Sequence, residues 1–136
     1  MSTVEQFLEE RFTALSRGDY AAVYRGYHPD APFLRQFGDR GTYLRFARQQ
    51  LGEIKIKNWQ CLHQRSVTDQ QVEVILVMEI ATAEGSHYFY ELALLISTAD
   101  GWRYHSAQKL GADDYSGLPE ELDFCHFDDI SQKIRF

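Results

Sequence analysis

The sequence lacks the apolar runs and the basic surplus that mark two large classes of protein. Its longest apolar runs, Val74–Met78 and Leu92–Ile96, are the length of strands, whereas a membrane helix needs about 20 apolar residues. The formal net charge is −6 and the isoelectric point is near 5.3. Proteins that bind phosphate backbones usually carry a basic face. We therefore expect neither a membrane nor a nucleic-acid partner.

Cysteine is also scarce. Two cysteines, Cys61 and Cys125, are too few for a disulfide framework and are read as free thiols in a reducing cytoplasm. The first ten residues, MSTVEQFLEE, lack the basic and then apolar pattern of a signal peptide. Zinc ligands usually occur in closely spaced pairs such as C-x-x-C, and that spacing is missing among the candidates, which are Cys61, His63, His87, His105, Cys125 and His126. The sequence predicts a cytoplasmic protein without a metal or cofactor.

What the chain does contain is enough apolar surface for one domain. It has 136 residues, 44% of them hydrophobic and 14% aromatic, so it can bury a core without disulfide bonds or metal ions to stabilise it. Apolar residues recur at helical spacing over about residues 3–17, 19–28 and 40–51. After Gly52 the period becomes two, which predicts strands at about 54–67, 71–83, 87–98 and 102–110. Three helices followed by four strands indicate an α+β fold with an antiparallel sheet.

Helix boundaries are marked by particular residues. Ser2 or Thr3 starts a capping-box pattern, and Gly18 suits the left-handed turn that ends the first helix. Asp19 and Asp39 are predicted N-caps of the second and third helices. Pro29 disfavours helical geometry at the preceding residue and is expected to stop the second helix.

The strand register can be predicted by keeping apolar residues together. A hairpin centred on Gly85 places Leu76 opposite Leu94, and one centred on Asp100 places Leu94 opposite Ser106 and Ile96 opposite Tyr104. In this register the helices cover one face of the sheet, made of Val72, Val74, Leu76, Met78, Ile80, Tyr88, Tyr90, Leu92, Leu94, Ile96, Trp102, Tyr104, Ser106 and Gln108.

The opposite face then carries an apolar patch of Ile75, Val77, Ala93 and Leu95. Such a patch is unusual on the solvent face of a monomer. It is explained either by a second copy of the chain, which makes these four residues a dimer interface, or by the C-terminal segment. That segment, residues 111–136, is rich in apolar residues through Leu122, Phe124, Phe127, Ile130, Ile134 and Phe136. We expect it to dock, partly helical, on the domain of residues 1–110.

Three groups of polar residues are candidates for chemistry. His28 with Asp30 could act as a general base, or these residues simply form the turn after a helix. Glu79 and Glu91 are predicted to face each other as a carboxylate pair, or to form a solvated cluster with Lys109. The third group is made of polar side chains that could line a pocket for a small apolar or amphipathic ligand, or could form an ordinary core edge. Its members are Tyr24, Tyr27, His28, Tyr90, Tyr104 and Gln108.

The chain resembles two known groups of proteins. Its order of helices and strands resembles the nuclear transport factor 2-like fold, a cone of helices on a curved sheet that includes ketosteroid isomerase, scytalone dehydratase, polyketide cyclases and non-catalytic dimerisation domains. A more specific resemblance, to the central domain of the YchJ family, rests on Arg11-Phe12-x-Ala14-Leu15, Asp19 and Tyr27-His28-Pro29. The cysteine-rich SEC-C motifs of that family are missing, so the resemblance implies no zinc-binding role.

The predicted function follows from the predicted helix-facing side of the sheet. Enzymes of this fold need an acid or base there, and the predicted face has no Asp, Glu, Lys or His on its last three strands. The sequence therefore favours a non-catalytic small-molecule-binding or protein-interaction domain that forms a homodimer. The alternative is a small isomerase, dehydratase or cyclase-like enzyme with His28 and Asp30 as its general base.

Overall fold

The computed structural model describes residues 3–111, 114–115 and 117–128. Four helices, two short 3-10 segments and four strands make up these residues. In chain order they are α1 (Val4–Arg17), α2 (Tyr20–Arg25), the 3-10 segment Pro32–Gln36, α3 (Arg40–Gln50), β1 (Lys55–Thr68), β2 (Gln71–Thr82), β3 (Gly85–Thr98), β4 (Gly101–Leu110), the 3-10 segment Pro119–Glu121 and α4 (Phe124–Asp128).

The helix starts are those expected from the capping residues. The Thr3 hydroxyl accepts from the Gln6 amide at 3.1 Å, and the Gln6 side chain accepts from the Thr3 amide at 2.9 Å, which completes a capping box. Gly18 ends α1 in the left-handed region at φ 71°. Asp19 and Asp39 cap α2 and α3 through the amides three residues on.

The second helix ends earlier than predicted, at Arg25 rather than beside Pro29. The chain instead pairs with the free edge of β4. The Tyr104 amide donates to the Gly26 carbonyl at 2.8 Å, and the His28 amide donates to the Tyr104 carbonyl at 2.8 Å. These backbone hydrogen bonds to a strand edge replace another helical turn, and they place Tyr27 beside Tyr104.

The strands form one antiparallel sheet in the order β1-β2-β3-β4. The predicted fold class, three N-terminal helices on a sheet of about four antiparallel strands, is confirmed. The apolar face of α1 packs on one side of this sheet, where Phe7, Leu8 and Phe12 join the same buried cluster as Leu76 of β2. Helices α2 and α3 form a neighbouring cluster around Tyr20 and Tyr43.

The predicted register of β2 and β3 is wrong by three residues. Leu76 lies opposite Glu91 rather than Leu94, because the hairpin turns through Ala83 and Glu84 and Thr82 pairs with Gly85. Two-residue loops match the twist of the flanking strands and are favoured in hairpins. An offset of three is odd, so it turns every β3 side chain to the opposite face.

The register of β3 and β4 is partly as predicted. Thr98 pairs with Gly101 and Ile96 with Arg103, so the expected pair of Ile96 and Tyr104 is wrong. A bulge then follows between Leu94 and Leu95, and beyond it Leu94 lies opposite Ser106 as predicted. The bulge puts one extra residue, His105, into β4 and so changes which β4 side chains face the helices.

These registers divide the sheet into two buried faces. On the helix-facing side, Ala93 and Leu95 of β3 are packed among the helices. The outer face holds Tyr90 and Leu92, which were predicted to face the helices, together with Leu110, Ile75 and Val77. The four residues predicted as a dimer interface thus lie on two different faces, and each is at most 6% exposed within the single chain.

The outer face is covered by the C-terminal segment. Leu122 and Phe127 are fully buried against it. The Gln108 amide nitrogen donates to the Phe127 carbonyl at 3.1 Å, and the Arg65 guanidinium lies 4.0 Å from the centre of the Phe124 ring. Ile75 and Val77, the two patch residues that lie on the outer face, are therefore buried by this segment of the same chain, whereas Ala93 and Leu95 are buried on the helix-facing side. Ile130, Ile134 and Phe136, also expected to dock, lie outside the described residues.

Candidate functional site

A half-buried arginine lies on the helix-facing side of the sheet. The guanidinium carbon of Arg11, on α1, lies 4.0 Å from the centre of the Tyr104 ring and 5.1 Å from that of Tyr27. The two rings meet edge to face with their centres 5.4 Å apart. This geometry is typical of cation–π contacts. It ties α1 to β4 and to the residues that follow α2.

A buried carboxylate belongs to the same group of residues. The Tyr104 hydroxyl donates to Glu91 Oε1 at 2.6 Å, and the Lys109 ammonium lies 4.0 Å from that oxygen. Glu91 is only 6% exposed. We call Arg11, Tyr27, Glu91 and Tyr104 the arginine cluster.

The residues of the arginine cluster shift one another's pKa values. Burial opposes the charged form of Arg11, but the Tyr27 and Tyr104 phenols and the Glu91 carboxylate more than offset it and raise the pKa of Arg11. Burial is also the main reason why the pKa of Tyr104 lies well above its ordinary value, with Glu91 adding to the shift and Arg11 opposing it. Arg11 is therefore a permanent cation, and Tyr104 is a neutral hydrogen-bond donor at physiological pH.

Neither charged member of the cluster was predicted from the sequence to lie at this site. Glu91 was assigned to the outer face because of the register error. Arg11, in contrast, carried a readable signal, since it stands three residues after Leu8 and four before Leu15, inside the apolar stripe of α1. A charged side chain at such a position is either paired or functional.

The expected carboxylate pair is not formed. Glu79 lies opposite Tyr88 rather than Glu91, and its Oε1 accepts a hydrogen bond from the Asn58 amide at 2.8 Å. Lys109 lies opposite Glu91, but Glu91 is buried, so the alternative of a solvated cluster is wrong as well. The two glutamates therefore have separate surroundings, and they do not divide acid and base roles between them.

A cleft opens beside the arginine cluster, between α1, α2 and β4. Its volume is about 240 Å³. The lining residues are Phe7, Glu10, Arg11, Ala22, Val23, Arg25, Gly26 and Arg103. Arg11 Nη1 is buried and has no hydrogen-bond partner among the described residues. A buried donor without a partner costs free energy, about 1–3 kcal/mol for an ordinary group and more for a charged one, so this nitrogen is a candidate contact for a ligand.

The residues predicted to line a ligand pocket do not come together. Tyr27 and Tyr104 belong to the arginine cluster, and Tyr24 packs on Tyr43 of α3 with ring centres 5.2 Å apart. Tyr90 and Gln108 lie on the other side of the sheet, where they contact Tyr115 and Phe127 of the C-terminal segment.

Aromatic rings fill the space between the 3-10 segment Pro32–Gln36 and α3. The Tyr43 ring contacts both Tyr27 and Phe37, and Phe33 packs between Tyr27 and Phe46. Tyr43 is 1% exposed, and burial raises its pKa above the ordinary range. The tyrosines expected around a pocket thus form packed core in this region.

His28 lies at the edge of β4, close to a second histidine. Its ring centre is 5.6 Å from that of His105. His28 Nδ1 accepts a hydrogen bond from the Asp30 backbone amide at 3.1 Å, which is the contact of a turn. The bond joins the ring to the Asp30 backbone rather than to its carboxylate, and this geometry matches the turn interpretation of the pair.

Among the described residues, no group of three or more histidine, cysteine, aspartate or glutamate side chains could hold a metal ion. Within the same residues, no helix combines the length and the apolar character needed to cross a bilayer.

Comparison with known proteins supports the fold and nothing finer. No protein-family model and no curated protein matches the sequence. A solved structure of a ketosteroid isomerase-like protein from Erwinia carotovora atroseptica matches with a TM-score of 0.60 at 16% identity, over 79% of this chain and 92% of that one. A domain of unknown function with a cystatin-like fold from Nostoc punctiforme matches with a TM-score of 0.59 at 13% identity, over 96% of this chain and 90% of that one. The chain therefore has the cystatin-like α+β fold that ketosteroid isomerase-like proteins share.

Proposed function

We propose that this chain is a non-catalytic domain that binds a small molecule in the cleft between α1, α2 and β4. The observation that carries the proposal is the buried Arg11 Nη1, which lacks a hydrogen-bond partner among the described residues, on a residue that lines this cleft. A ligand acceptor at that atom would remove the cost of the unmatched donor. Phe7 and Val23 line the same cleft and supply an apolar wall.

A binding role agrees better with the arginine cluster than a catalytic role does. A general acid or base must reach its substrate and exchange a proton near neutral pH. The Glu91 carboxylate is instead held by Tyr104 and Lys109, and the pKa of Tyr104 is raised well above its ordinary value by burial. These groups stabilise one another, and Arg11 binds without exchanging its proton.

The alternative function, an isomerase-like reaction with His28 as general base, has less support. His28 Nδ1 already accepts the Asp30 amide, and residues other than His28 line the cleft beside Arg11. The similarity to a ketosteroid isomerase-like protein, at 16% identity, supports a shared fold and does not carry an activity to this chain.

The likeness to the central domain of the YchJ family is part of this proposal. Arg11 begins the shared pattern and Tyr27 stands in its last part, and the structure brings these two residues into contact. We propose that the pattern describes the arginine cluster and the edge of β4. It implies neither a zinc site nor a reaction.

A homodimer also remains a proposal. The C-terminal segment occupies the outer face of the sheet, so a dimer through Ile75 and Val77 would require that segment to move or to be exchanged between copies. A dimer that leaves the segment in place would use a different surface.

Three matched fragments test the proposed function. Benzoate, benzamidine and benzyl alcohol share one ring and differ in charge, and each would be titrated into the ¹⁵N-labelled full chain. We expect at least one to shift the backbone amides of Arg25, Gly26 and Arg103 in a saturable way. Replacing Ala22, which lines the cleft, by phenylalanine should abolish the shifts.

The control is Gln49→Phe, at an exposed position of α3. It adds the same ring away from the cleft and should leave binding unchanged. Failure of all three fragments to bind there, or equal binding by the Ala22→Phe variant, would contradict the proposed function.

A further inference from the structure

We infer that the cleft recognises an oxyanion, the carboxylate or phosphate group of a small metabolite, through Arg11, Arg25 and Arg103. This inference rests on the proposed function and adds the chemical class of the ligand. It depends on the charges that line the cleft, on the way each guanidinium is held and on the size of the space.

The charges around the cleft are opposite to those of the whole chain. Three arginines and one glutamate, Glu10, are among the residues that line the cleft, whereas the formal net charge of the chain is −6. An excess of one sign in a partly enclosed space concentrates ions of the other sign. Local attraction for anions at this site is therefore a feature of the cleft and not of the protein as a whole.

Two of the guanidinium groups are held in place before any ligand arrives. Arg11 is fixed against the rings of Tyr27 and Tyr104. Arg103 Nη1 donates to the Trp102 carbonyl at 2.8 Å, which orients the remaining donors of the same group. Side chains that are ordered in advance lose less conformational entropy on binding.

Arginine is the residue suited to this task. Its planar group offers five donors and binds carboxylate or phosphate oxygens in pairs. Arg25 is exposed in the last turn of α2, at the solvent side of the cleft, and Arg11 Nη1 supplies a buried donor that is still unmatched among the described residues. An oxyanion between them would satisfy the buried donor and be held at the entrance as well.

The size of the cleft limits the ligand. Its volume of about 240 Å³ is smaller than the roughly 300–1,000 Å³ of sites for drug-sized molecules. One anionic group and a short apolar body against Phe7 and Val23 would occupy it.

The test uses acetate, inorganic phosphate and benzoate, each titrated into the ¹⁵N-labelled full chain at constant ionic strength maintained with sodium chloride. We expect saturable shifts at the amides of Gly26 and Arg103. Arg25→Ala and Arg103→Ala should each weaken binding by about tenfold or more, as expected for the loss of a charge-assisted hydrogen bond. These two residues are exposed or half-buried, so their variants should fold, whereas Arg11 variants could fail to.

The matched control is Arg48→Ala. Arg48 is an exposed arginine of α3, so its removal changes the net charge equally and should leave binding unchanged. Tighter binding of phosphate than of acetate would identify a phosphate ligand, and the reverse order a carboxylate. Either order supports the inference.

Three results would overturn the inference. The first is a shift that grows linearly with anion concentration, and the second is equal binding by the wild-type and Arg103→Ala proteins. The third is binding of benzyl alcohol in the cleft without binding of any anion, which would leave the proposed function intact. If no probe of any charge bound, the proposed function would fall as well, so the two failures can be told apart.

Discussion

The two faces of the sheet are both buried, but they are buried by different means. Helix α1 covers one face together with the residues that follow α2, and that side holds two opposite charges, Arg11 and Glu91, linked through Tyr104. The other face is covered by a short C-terminal segment whose contribution is almost entirely apolar, through Leu122 and Phe127.

The difference shows how a small domain separates stability from recognition. An apolar contact gains free energy in proportion to the area it buries, and it needs no particular partner geometry. A buried charge is tolerated only where its partners are placed correctly. The helix-facing side therefore carries the more demanding chemistry, and it is there that an unmatched donor borders a cleft.

The largest expected effect tests which β3 side chains face the helices. Leu95→Glu would bury a carboxylate among the helices, since Leu95 is fully buried there, and an isolated buried charge costs several kcal/mol. We expect this variant to be largely unfolded by circular dichroism. If Leu95 instead lay in an exposed dimer interface, as predicted from the sequence, the Leu95→Glu variant would be a soluble, folded monomer.

Leu94→Glu is the matched control for that experiment. Leu94 is the neighbouring leucine on the same strand, is only half-buried, and lies opposite Glu73 and Ser106. We expect this variant to stay folded. The opposite result, an unfolded Leu94→Glu and a folded Leu95→Glu, would restore the register predicted from the sequence.

The next effect concerns the charges of the arginine cluster. Glu91→Leu removes the buried carboxylate and leaves the Tyr104 hydroxyl without its acceptor and the half-buried Arg11 without its countercharge, which should lower the free energy of unfolding in urea by about 3–5 kcal/mol. Adding Arg11→Met should recover most of that loss. Glu53→Leu, at an exposed position, should change stability by no more than about 0.5 kcal/mol. A double variant as unstable as the single one would show that the charges do not act as a pair.

A somewhat smaller effect is expected on the apolar outer face. Phe127→Ala removes a fully buried ring and should cost about 3 kcal/mol, the lower end for such a change, because the C-terminal segment can detach without unfolding the sheet. Hydrogen exchange should then increase at the amides of α4 and of the residues around Leu122. Loss of protection throughout β2 and β3 would instead show that the segment is needed for the whole fold.

The smallest effect appears only at alkaline pH. The pKa of Tyr104 is raised in the folded state, mainly by burial, above its value of about 10 in the unfolded chain. Its contribution to stability is therefore complete below about pH 10 and is lost as the pH rises towards the folded-state pKa. Urea unfolding at successive pH values should show this decline, and it should be weaker in Tyr104→Phe. An equal decline in both proteins would assign it to other tyrosines.

The sequence was sufficient for much of the fold because its signals are local. Thr3, Gly18, Asp19 and Asp39 act within one helical turn of their own position, and the capping geometry appears as expected. The change of period after Gly52 similarly located all four strands to within a few residues. Interactions this close in the chain depend little on the rest of the molecule.

The candidate site was harder to predict because it depends on contacts between distant residues. The turn at Ala83 and Glu84 and the bulge at His105 each shifted the pairing by an odd number of residues. Glu91 therefore faces the helices, although the hydrophobic pattern of β3 is equally compatible with Glu91 on the outer face. Apolar residues stand on both faces of β3, so alternation of hydrophobicity could not decide between them.

By itself, the sequence determined the helices, their caps, the four strands and the α+β class, since each follows from residues that are neighbours along the chain. Only the tertiary structure decided which face of β3 meets the helices, that the C-terminal segment covers the outer face, and that Arg11 meets Tyr27, Tyr104 and the charge of Glu91 beside a cleft. Those outcomes depend on register and on packing between elements far apart in the sequence, and one residue of slip changes them all.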